Sequence, residues 1–188
     1  ETDEEINDCG KECEKQFVFV SGSGNNRVQK FDLDGKFISS IGSPGSSDGK
    51  FQLPTGISAL ADGRLLVADT YNHRLQFFDK SGNFSAHWGE RGPRSKWWNR
   101  GKYGKFSYPQ WVTTDKEGNI YTTEYPMNRV QKFDATGKLL MQFGKGGRGN
   151  GQFKFPHGIA VANDGSIFVV DKLNSRVQKF DSKGIFIR

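Results

Sequence analysis

The sequence predicts an all-β chain built by repeating one four-stranded unit. Three observations carry that prediction. First, one phrase occurs four times, at residues 27–32, 74–79, 129–134 and 176–181, each opening with Arg and closing with Phe-Asp. Its offsets are 47, 55 and 47 residues, a period that marks stacked supersecondary units. Second, short apolar stretches are separated by turn signals at roughly ten-residue intervals, the spacing of a strand-and-turn architecture. Third, the 188 residues include 24 glycines and 16 phenylalanines, and no stretch approaches the ~20 apolar residues of a membrane span.

In chain order, residues 1–16 come first and carry no β pattern. They hold seven acids and two lysines, a net of −5. The whole chain is +6, so residues 17–188 are +11. This asymmetry predicts an acidic leader or linker on a basic body, either solvated or folded back on it. Cys9 and Cys13 are the only cysteines. A C-x3-C pair lacks the further ligands of a zinc site. It suits a local disulfide, or bonds to another chain, in an oxidising compartment; two free thiols in a cytosolic tail are the alternative. One glycosylation sequon, Asn83-Phe84-Ser85, also points to an extracellular or secretory compartment.

The repeats span about residues 17–42, 51–89, 106–144 and 153–188. Each reads as strands a to d, and the first lacks its inner strand a. The a–b turns contain Asp62-Gly63, Glu117-Gly118 and Asp164-Gly165, where glycine can take a positive φ. The c–d turns read Asp-x-x-Gly, from Asp32, Asp79, Asp134 and Asp181. Such a turn is capped by Asp and offers too few oxygens for a calcium loop. Asp69, Glu124 and Asp171 stand five residues before Arg74, Arg129 and Arg176. That spacing lets carboxylate and guanidinium meet across the b–c hairpin as a charge-assisted pair. Repeat one has Gly22 instead, which predicts an Arg27 that is exposed or paired with another element.

Four-stranded sheets at this period predict the blades of a β-propeller. The chain resembles the NHL-repeat family through its Pro-x-Gly-Ile segments, the Asp/Glu-Gly turns, Asn72-His73-Arg74-Leu75, the Phe-Asp pairs and the closing Phe/Trp-Gly. The resemblance covers about residues 17–188. It implies blades that serve mainly as binding platforms, including the RNA- and protein-binding domains of tripartite-motif ligases. Some relatives are enzymes, among them peptide-amidating lyases that hold zinc with histidines. Family members usually have six blades, which would need on the order of 270 residues. This chain is then an arc of a larger propeller, a small closed ring, or one part of an oligomer.

Residues 90–105 are the stretch where function is expected. The connection from Gly89 to Phe106 takes seventeen steps, whereas Gly42 to Phe51 and Gly144 to Phe153 take nine. The insertion carries six basic residues against one acid. Long loops on a regular scaffold are where binding residues concentrate. Arg91, Arg94, Lys96, Trp97, Trp98, Arg100, Lys102 and Tyr103 are therefore the candidate ligand-binding residues, with cations to steer and aromatics to anchor. The expected partner is a protein or an anionic polymer, with nucleic acid as one form. The alternative reading of Trp97 and Trp98 is packing of the loop on its own blade. Lys145 to Gly151 does not lead from a strand into a helix, so it reads as an ordinary inter-blade link.

Catalysis is not expected. Pro156-His157-Gly158 matches a lyase motif, but the equivalent positions in repeats two and three are Thr55 and Gln110. His73 falls in a b–c hairpin and His87 in a d strand, a poor set for one catalytic metal. No cofactor or metal is assigned. The reading is a non-catalytic binding or assembly scaffold. Part of a metal-dependent propeller enzyme and an RNA-binding domain are the alternatives.

Overall fold

The computed structural model describes residues 16–89 and 106–188. Four antiparallel sheets follow one another along the chain. Blade one contains β1 (Val18–Gly22), β2 (Arg27–Phe31) and β3 (Phe37–Ile41). Blade two contains β4 (Pro54–Ala59), β5 (Leu65–Asp69), β6 (Arg74–Phe78) and β7 (Phe84–Trp88). Blade three contains β8 (Pro109–Thr114), β9 (Ile120–Glu124), β10 (Arg129–Phe133) and β11 (Leu139–Phe143), and blade four β12 (Pro156–Val161), β13 (Ile167–Asp171) and β14 (Arg176–Phe180). Strands pair in sequence order, so each blade is a meander. Among the described residues, blade one has three strands and no inner strand. Residues 185–188 differ from the expected fourth strand of blade four: they make a bridge from Phe186 to Phe180 and bonds to Lys179, a pairing too short for a named strand. No helix among the described residues is long and apolar enough to cross a membrane.

The alternation of side chains across each strand builds the packing. In blade two, Leu65, Val67 and Phe78 share one face, while Leu66, Ala68, Leu75 and Phe77 share the other. The first set packs with Val28 and Ile41 of blade one. The second packs with Val112, Ile120 and Phe133 of blade three. Between blades three and four, Tyr121 and Val130 meet Ile167, Val169 and Phe180. Each interface also buries one phenylalanine from the connection between its blades: Phe51, Phe106 or Phe153. Burying such a ring contributes roughly 2–3 kcal/mol, so these connections are part of the core.

Polar bonds set how closely the inner strands approach. Ser21 and Thr123 donate their hydroxyls to the carbonyls of Thr55 and His157 in the following blade. Ala68 holds that place in blade two and has no hydroxyl. There Thr55 Oγ1 donates instead, to the Gln110 carbonyl. Ser23 and Thr70 cap the Pro54 and Pro109 carbonyls in the same manner.

Candidate ligand-binding face

The b–c hairpins and the inter-blade connections meet on one face of the arc. Three buried carboxylates join them. Asp69 accepts bonds from Arg74 Nε, Asn72 Nδ2, Gln76 Nε2 and the Gln52 N–H. Asp171 repeats the set with Arg176, Asn174, Gln178 and the Lys154 N–H. Arg74 and Arg176 then donate onward to connection carbonyls, Ser47 and Lys50 in one case and Gly149 and Gln152 in the other. The Asp…Arg pairing read from the sequence is thus present, but its larger role is to tie the connection to the hairpin. The glutamine of the repeated phrase belongs to the same network, a role its sequence position does not reveal. Arg27, lacking an acid at Gly22, is exposed.

Blade three varies the theme. Met127 replaces the asparagine, and the longer Glu124 reaches Ser107 N–H, Arg129 Nε and Gln131 Nε2. Burial pushes its carboxyl up to about 7, against the pull of Arg129. Burial likewise raises Asp69, countered by its four donors and the Arg74 charge.

A second recurring device lies at the ends of the same hairpins. Each hairpin ends on a left-handed residue: Asn26, His73, Asn128 or Ser175, with φ of 51–57°. The first three accept the backbone N–H of a residue in the following blade. Asn26 accepts from Leu53 at 2.7 Å, His73 Nδ1 from Tyr108 at 3.2 Å and Asn128 from Phe155 at 2.9 Å. Leu53, Tyr108 and Phe155 each precede a proline, and their φ values are 49°, 47° and 60°. Bulky residues rarely adopt that conformation, which costs of order 1–3 kcal/mol each and tends to mark functional positions.

These three strained residues line one concavity of about 530 Å³. Tyr71, Tyr125 and Pro126 from two hairpins complete its apolar wall, and Thr55, Thr70 and Gln110 supply its polar atoms. Tyr71 stands edge-on to Tyr108 at 5.3 Å, and Tyr125 lies 4.3 Å from Phe155. Lys172 holds its ammonium 5.3 Å from the Phe155 ring. The volume lies in the ordinary range of ligand sites, and an aromatic wall with few polar groups is their usual chemistry. Tyr108 and Phe155 are not among the candidate residues picked out from the sequence. The signal was there: a large apolar residue precedes Pro in three repeats, and a tyrosine sits in two of the intervening hairpins.

Arg91, Arg94, Lys96, Trp97, Trp98, Arg100, Lys102 and Tyr103 lie outside the described residues, as do Cys9 and Cys13. The histidines do not gather. His73 is buried beneath Tyr108, while His87 pairs with Asp48 at 3.0 Å on the outer strand. His157 lies beside Trp111, and burial lowers its pKa, with Lys172 adding to the effect. Among the described residues, no group of three or more His, Cys, Asp or Glu is placed to hold a metal.

The model of the NHL repeat matches residues 51–78 and 153–180. The chain belongs to the NHL-repeat family. Its repeats are 34% identical over 164 residues to the B-box type zinc finger protein ncl-1 of Caenorhabditis elegans, covering 68% of this chain and 19% of that protein. They are 31% identical over 140 residues to the protein brain tumor of Drosophila melanogaster, covering 55% of this chain and 14% of that one. The chain therefore spans less than a fifth of the length of either relative. Among solved structures, streptogramin B lyase aligns with 93% of this chain and 51% of its own, at a TM-score of 0.65 and 18% identity. At that identity the likeness concerns the β-propeller fold of the NHL arc alone.

Proposed function

We propose that the NHL arc is a non-catalytic binding scaffold whose partner sits on the face carrying the b–c hairpins. The observation that carries this reading is the aromatic concavity built on three strained pre-proline residues. In sequence, residues 90–105 connect Gly89 to Phe106, two residues before Tyr108 of the concavity wall, and their basic and aromatic side chains are the second element of this reading. Catalysis has no comparable support, since the three histidines serve separate structural surroundings.

The test compares partner binding by four proteins: wild type, Tyr71→Ala with Phe155→Ala, Trp97→Ala with Trp98→Ala, and Lys116→Ala with Glu117→Ala on the opposite face. Loss in the first two variants, with retention in the third, is the expected result. Unchanged binding in both aromatic variants, each shown to be folded, overturns the reading. Stoichiometric zinc that disappears in His157→Ala would restore the enzyme alternative. An RNA ligand is the second reading, favoured by the six cations of residues 90–105, and filter binding of single-stranded oligonucleotides at two salt concentrations tests it.

A further inference from the structure

Among the described residues, the aromatic concavity has no charged residue in its wall. Its threonine hydroxyls and its glutamine amide are already engaged within the protein. Thr55 and Thr70 donate to the Gln110 and Pro109 carbonyls, and the Gln110 amide donates to the Tyr108 carbonyl. What remains to offer a ligand is mainly ring surface, together with the hydroxyls of Tyr71, Tyr108 and Tyr125. That chemistry disfavours a phosphate, which needs a cation pointing inward. It also disfavours a cationic ligand, because Lys172 already stands over Phe155 and like charge would repel it.

The surroundings are positive. Lys172 is joined by Lys154, which is exposed next to Phe155. The nearby carboxylates Asp69, Glu124 and Asp171 are fully buried and paired with arginines. With Lys172 over the Phe155 ring and Lys154 exposed beside it, the rim complements negative charge. Resting on the binding reading above, we infer that the concavity takes one bulky apolar side chain, aromatic or leucine, presented by an acidic peptide segment of a partner protein. The side chain enters between the Tyr71–Tyr108 pair and the Tyr125–Phe155 pair. Acidic residues on either side of it meet Lys172 and Lys154. Anchoring by a buried ring within a charged rim is the usual division of labour at such sites.

The probe is a fluorescein-labelled peptide of aspartate, glutamate and serine with one central phenylalanine, titrated by fluorescence polarisation against the whole 188-residue chain. Two matched peptides replace the phenylalanine by alanine or the acids by lysine. The expected result is saturable binding of the first peptide, weakened at least tenfold in each of the other two. Tyr71→Ala and Phe155→Ala should each weaken it at least tenfold, and Lys172→Glu should lower both affinity and salt dependence. Tyr71 is 44% exposed, so its truncation tests the site even where Phe155→Ala disturbs folding. Equal binding of the alanine peptide or of the lysine peptide overturns the inference. Absence of peptide binding together with RNA binding that Tyr71→Ala abolishes overturns this inference but leaves the binding face standing. Loss of neither ligand in any of these variants overturns both.

Discussion

His73 does the work that Asn26 and Asn128 do in the neighbouring blades, with an imidazole nitrogen where they use an amide oxygen. Each accepts the N–H of a strained residue in the next blade. Asparagine tolerates the left-handed conformation and carries an acceptor at the same reach. His73→Asn should therefore leave stability within about 0.5 kcal/mol, whereas His73→Ala, by stranding a partly buried N–H, should cost about 1–3 kcal/mol in urea unfolding. Glu124 makes a prediction of its own. Its carboxyl is raised from about 4.5 to about 7, so between those values the folded state binds more protons than the unfolded one. Stability from this group is then full at low pH and declines as pH rises from about 4.5 through about 7. The unfolding midpoint of the wild type should fall across that range relative to Glu124→Gln, which has no proton to lose. A difference between the two that does not change with pH would refute the assignment.

At the scale of elements, the inner strands explain a glycine. A Cβ added at Gly56 on β4 would lie 2.5 Å from the Trp111 Cα and 2.7 Å from the Val112 nitrogen. Those are backbone atoms of β8 in the next blade and cannot rotate aside. Gly56→Ala should force the two strands apart, at about 3 kcal/mol or more, near the upper end for overpacking. Gly24, in the turn of blade one, has nothing within 4 Å of the same added atom. Gly24→Ala should change the unfolding free energy by less than about 0.5 kcal/mol, the usual range for an uncommitted surface site. The element scale also shows which hairpin residues the sequence could reveal. Asp69 and Arg74 were legible because opposite charges five residues apart meet across a tight hairpin. Gln76 was not, because an amide in an apolar strand announces no partner until its neighbours close over it.

For the whole molecule, each blade is held mainly by the blades beside it, so stability should grade along the arc. β5 and β9 are buried at all five positions, whereas β1 has no fully buried residue. Hydrogen exchange measured by mass spectrometry should show slow amides on β5 and β9 and much faster ones on β1. Uniform protection across the three strands would contradict this grading. The repeat, its strand order and the turn chemistry were all readable in advance, because period, glycine placement and apolar alternation are local properties of the chain. The Asp-x-x-Gly turns illustrate it: all four aspartates accept the backbone N–H groups of their own turns.

The repeated phrase, its turns and its charge spacings dictate that this chain builds NHL blades, how many repeats it shows and which hairpins carry a charge pair. Those features need only contacts between residues close in the chain. The concavity was decided by tertiary structure alone. Leu53, Tyr71, Tyr108, Tyr125 and Phe155 come from three blades and are scattered over 103 positions, from 53 to 155. Only the stacking of blades, fixed by interface phenylalanines and by hydroxyl-to-carbonyl bonds between inner strands, brings their rings to one place.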